Sequence, residues 1–138
     1  MSIDAALFAR ASAVSALTAL IGTNPVRLAP IVVPEGWARP AIAYQLVSDT
    51  RAEAMTARAS LKHARFQVTL LADDYPSLLA LDAAVETAFD RWRGTSAGVV
   101  VQDTFIENST DGLDPESGQA SGEGTMSRTK DLLFHYEA

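Results

Sequence analysis

The chain has 138 residues, seventeen acids against eleven lysines and arginines, and no cysteine. That length suits one domain, and 48 % hydrophobic with 20 % charged residues is enough to bury a core without staples. The lack of thiols excludes disulfides, thiol catalysis and thiolate metal sites. The net charge of −6 comes from one stretch: residues 94–127 hold Asp103, Glu107, Asp111, Asp114, Glu116 and Glu123 and no lysine or arginine. The remaining eleven acids balance the eleven bases. No basic stripe is available to displace counterions, which argues against conventional binding to duplex DNA. A surface that must avoid sticking to DNA is served by the same charge, because it repels phosphate. Asp4 and Arg10 break the pattern of a signal peptide, and no run approaches the ~20 apolar residues of a membrane span. Folding in a cytoplasm is the expectation.

Ser2 is placed to cap a first helix, with Asp4 in the turn where the dipole favours an anion. Ile3, Leu7, Val14, Leu17 and Ile21 form its apolar stripe and Gly22 its stop. Ser12 offers a restart, so one helix and two short kinked ones both fit. Prolines at 25, 30 and 34 leave room only for a short strand near 26–28. Residues 41–48 alternate with almost no polar member, as in a strand partly covered on both sides. The connection 49–60 is far longer than a tight hairpin needs and carries Arg51, Glu53, Met55 and Arg58. It reads as a protruding arm.

Residues 62–71 then alternate strictly, with Ala64, Phe66, Val68 and Leu70 on one side and His63, Arg65, Gln67 and Thr69 on the other. The period changes after Asp73-Asp74-Tyr75-Pro76, a helix start with proline near the first position. Leu78, Leu81, Val85, Ala88, Phe89 and Trp92 follow at helical spacing, and Gly94 is the expected end. A strand is predicted over 98–107, an acidic glycine-rich loop over 109–124, and a last strand over 125–136 with Leu132, Phe134 and Tyr136 facing the core. The predicted class is α+β: a mainly antiparallel sheet of four to five strands against one long and one or two shorter helices, in a single domain spanning 1–138.

Nothing in this pattern announces an activity. His63 and His135, the two histidines, lie in strands on the side away from the core, and neither has a local partner at ligand spacing. No nucleophile elbow is present. Asp111, Asp114 and Glu116 do not fit a calcium loop, and Gly118, Gly122 and Gly124 lack the Lys-Ser/Thr of a phosphate loop. No enzyme, metal or cofactor is expected. Trp92 reads as core. Trp37, in a proline-rich loop, either tucks back onto the sheet or anchors a partner, and the arm at 49–60 reads as a docking element.

The opening MSIDAALFARASAVSALTALIGT, the strand PAIAYQLVS, the block ARFQVTLLADDYPSLLALDAAVETAFDRWRGT and the closing DLLFHYEA resemble the small tail-completion proteins of long-tailed phages. These are also called tail terminators or head-to-tail joining proteins, and gene-transfer particles carry them too. The resemblance implies a virion protein at the tail-head junction, assembled in the host bacterial cytoplasm. Its partners would be five further copies in a hexameric ring, the tail tube protein, and a stopper or connector in the head neck. The ring would cap the tube, end its polymerisation and let DNA pass without specific binding and without any membrane. Trp37, Arg51, Glu53, Met55 and Arg58 are the candidate interface residues, and Asp111, Asp114, Glu116 and Glu123 the candidate lumen-facing acids. The alternatives are another neck component, adaptor or stopper, and a soluble ligand-binding α+β domain. The last would need polar groups converging inside the apolar layer, where the sequence offers only Tyr44 and Thr104.

Overall fold

A computed structural model describes residues 2–23, 26–34, 36–51, 61–114 and 125–137. The elements run α1 (Ile3–Ala13), α2 (Ser15–Ile21), β1 (Leu28–Pro30), β2 (Ala41–Arg51), β3 (Leu61–Ala72), α3 (Tyr75–Phe89), β4 (Gly94–Ser96), β5 (Val99–Asp114) and β6 (Thr125–Glu137). The six strands form one sheet in the order β1-β2-β3-β6-β5-β4. All neighbours are antiparallel except β1 and β2. Among the described residues no single helix is long and apolar enough to cross a membrane.

The α+β class holds, with one strand more than expected and a sheet that is mixed. The added strand is β4, in the segment that was to end the long helix. Ser96 pairs with Val99 around a two-residue turn in which Ala97 and Gly98 both have positive φ, 50° and 80°. That backbone matches the twist of a hairpin. The helix itself stops at Phe89, before Gly94, because tertiary bonds take over the next residues. Arg91 has a left-handed φ of 54°, its N–H donates to the Thr104 carbonyl at 2.9 Å, and the Thr104 hydroxyl donates to the Trp92 carbonyl. The opening segment is two helices, bent by 89° where Val14 is extended. Ser2 and Asp74 cap their helices as the sequence suggests, Oγ and Oδ1 accepting the Ala5 and Ser77 N–H at 3.2 and 2.8 Å. Strand β5 reaches Asp114, so residues 109–114 of the expected acidic loop are strand; 115–124 lie outside the described residues.

The helices cover one face of the sheet. α3 lies over β3, β6 and β5 and packs against α2, while α1 reaches α2 and β4. The alternation in β3 and β6 sends Ala64, Phe66, Leu70, Leu132 and Phe134 inward, each fully buried. Phe66, Phe134 and Phe89 meet edge to face, with centroids 5.7 and 5.9 Å apart. Such pairs add roughly 0.5–1.5 kcal/mol each beyond the area they bury. Trp92 is partly buried at the core's margin, edge-on to Phe89 and beneath the Arg10 guanidinium at 5.0 Å.

Candidate assembly surfaces

Between α3 and β6 the inward face carries an ionic cluster. Lys130 is 3 % exposed and donates from Nζ to Asp82 Oδ1 at 2.6 Å, with Glu86 at 3.5 Å. Arg128, two residues along the same strand face, donates to Asp82 Oδ2 at 3.0 Å and to both oxygens of Asp111. Tyr75 closes the cluster: its hydroxyl donates to Asp111 and accepts from Arg128. The Arg128 bond holds the Asp111 carboxyl below the usual carboxylate range. Every charge here has a partner, and no buried side-chain polar atom among the described residues is unpaired. The cluster therefore fixes α3 on the sheet and leaves no polar group aimed at a ligand.

Among the described residues no helix lies over the opposite face. Register aligns Gln45, Gln67, Asp131 and Asn108 in one row across β2, β3, β6 and β5, and Ala43, Thr69, Thr129 and Thr110 in the next. A polar depression of about 310 Å³ lies on this band, over Gln67, Asn108, Thr110, Ser127, Thr129 and Asp131. Arg65, the arginine of the neighbouring row, is held by Glu107 at 2.6 Å and Asp131 at 3.7 Å. Further along, His63 and His135 face each other across the strands with ring centroids 4.3 Å apart, and Phe105 packs on His135. Burial, and then the neighbouring His63, push the His135 pKa down. Among the described residues no group of three or more potential ligands surrounds this pair or any other point.

At one end of the sheet a cleft of about 770 Å³ opens between the start of α1 and the β4–β5 hairpin, with Leu46, Asp49, Lys62, Val99, Val100 and Tyr136 in its lining. Three of its polar groups bind one another: the Tyr136 hydroxyl donates to Asp49 at 2.9 Å and Lys62 pairs with Asp49 at 3.1 Å. Trp37 is half-buried in the loop before β2. Arg51 ends β2, and Glu53, Met55 and Arg58 lie outside the described residues, as do Glu116 and Glu123. Asp114 closes β5. Of the sequence-predicted acids, Asp111 is the one placed in detail, and it is tied to Arg128.

The sequence reading missed Asp82, Lys130 and the histidine pair. A signal for the first two was present: Asp82 sits within the α3 apolar stripe, and Lys130 shares the inward parity of Leu132 and Phe134. Opposite charges on two dry faces point to a buried ion pair.

The model of the tail completion protein gp17 family matches residues 5–126. Among solved structures, a chain of a native gene transfer agent particle virion superposes with a TM-score of 0.68 at 18 % identity, covering 99 % of this chain and 93 % of that one. A second superposes with a TM-score of 0.57 at 15 % identity, covering 100 % and 97 %. At such identities the likeness is one of fold. No curated protein matches the chain. The family match takes in the helices from residue 5 onward and strands β1 to β5, stopping at the start of β6, and the chain belongs to the tail completion protein gp17 family of phage-type tail structural proteins.

Proposed function

We propose that the protein forms a ring that caps the finished tail tube, ends its polymerisation and joins the tail to the neck of the head, with DNA passing through the hole. Family membership over residues 5–126 carries this reading. The chain's chemistry supports it: among the described residues no buried polar side chain is left unpaired, and Lys62 and Asp49 in the large cleft pair with each other, so exposed edges and loops are what it offers a partner. A ring of identical subunits needs head-to-tail contacts whose rotation closes. Trp37 and the segment from Arg51 to Arg58 are the proposed contacts to tube or neck. The acids from Asp111 to Glu123 would repel a passing phosphate backbone at the lumen. Mixing the purified protein with isolated tail tubes tests the reading by negative-stain imaging: annular caps on tube ends support it, and bare ends overturn it.

A further inference from the structure

Among the described residues the sheet has two long open edges, at β2 and β5. β1 pairs with β2 only at 42–44, and the Ile31 N–H adds one bond to the Tyr44 carbonyl at 2.7 Å. Among the described residues, 45–51 then have β3 on one side and nothing on the other. At the far side β4 covers 99–101 of β5, and the Arg91 N–H takes the Thr104 carbonyl, leaving 105–114 open. Neither stretch contains a lysine or proline; each has one register shift, between Leu46 and Ser48 and between Ile106 and Asn108, with paired strand on both sides of it.

The β2 edge is also apolar where it should face water. Leu46 and Val47 are 41 and 54 % exposed, and beside them Ile31 and Val32 are 73 and 69 % exposed. Ile31 holds a φ of 70°, a left-handed backbone that β-branched residues rarely adopt. Strain kept at an exposed apolar residue marks a surface with a use.

Strand directions decide what fits there. β2, β3, β6 and β5 alternate, so β5 runs opposite to β2. Copies related by rotation about an axis along the strands keep their directions. The β2 edge of one would meet the β5 edge of the next antiparallel, the more favourable sense of pairing. The edges also lie level: Leu46 shares a row with Ile106 through Phe66 and Leu132.

We propose that the partner of the 45–51 edge is the 105–114 edge of a second copy, so that the ring is one continuous sheet. This rests on the ring reading above. Because the chain has no cysteine, Val47→Cys with Ser109→Cys places the protein's sole thiols on the two edges, and Leu79→Cys with Ser109→Cys, on α3 and β5, is the control pair. A short bismaleimide is applied to concentrated protein and to tube-bound protein. The edge pair should give a ladder of dimers and higher species at least tenfold stronger than the control. Val47→Lys, which folds as a monomer because the position is exposed, should weaken self-association at least tenfold in sedimentation. Rings that cross-link no better at the edges, or that tolerate Val47→Lys, overturn the edge assignment and leave the ring reading standing. Protein that forms neither rings nor caps overturns both.

Discussion

Replacing Asp82 by Asn removes the carboxylate that two bases share beneath α3. Lys130 is 3 % exposed, so its ammonium would lose its 2.6 Å partner with little water to take over. Breaking a buried pair in this way costs about 3–5 kcal/mol. Glu86, 3.5 Å from the same Nζ, recovers part of it, which sets the expectation near the lower end, about 3 kcal/mol. At roughly 3 °C per kcal/mol for a domain of this size, Tm should fall by about 10 °C. Lys130→Met should cost less, about 1 kcal/mol, because Asp82 keeps Arg128 at 3.0 Å. The double variant Asp82→Leu with Lys130→Met should return to within about 1 kcal/mol of the parent, since well-packed apolar groups replace a buried pair at little cost. Urea denaturation of the three variants measures the three losses. A loss below about 1 kcal/mol for Asp82→Asn, or equal losses for the two single variants, would refute the asymmetry.

Phe134→Ala removes the ring shared by Phe66 and Phe89 and should cost about 3–5 kcal/mol by urea melt; a loss under about 1 kcal/mol would mean that the aromatic cluster is not the core. His135 has its pKa lowered in the folded state, so the unfolded chain takes the proton first as pH falls. The stability it contributes is present above the ordinary value of 6.5 and is lost as pH drops toward the folded value. The urea midpoint should therefore fall between about pH 7.5 and about pH 5.5, and His135→Gln should flatten that fall; an unchanged slope in the variant counts against it. Neutralising Asp114, Glu116 and Glu123 together, with the Asp111–Arg128 bond intact, should slow DNA delivery and leave tail length unchanged. Unaltered delivery removes the lumen assignment.

The parts legible in the sequence were those with a strong local period. The alternation of 62–71 and the helical stripe from Leu78 to Phe89 placed β3 and α3 because one face of each is dry. What escaped was set by contacts distant in sequence. α3 ends early because β5 binds Arg91 and Trp92, and the parallel pairing of β1 with β2 depends on Arg27, whose guanidinium donates to the Leu20 and Pro40 carbonyls. The histidine pair depends on the register of β3 against β6, which neither strand specifies alone. Of the proposed contact residues, Trp37 and Arg51 were read from loop length and residue type. Those cues report that a segment is available, and in the proposed assembly the surface it meets belongs to another chain.

The central claim, that the protein terminates and joins tails, is tested most directly by imaging particles assembled in cells that lack it. Tails of uncontrolled length, separated from filled heads, are the expected result. Tails of normal length, firmly attached to heads, would contradict it.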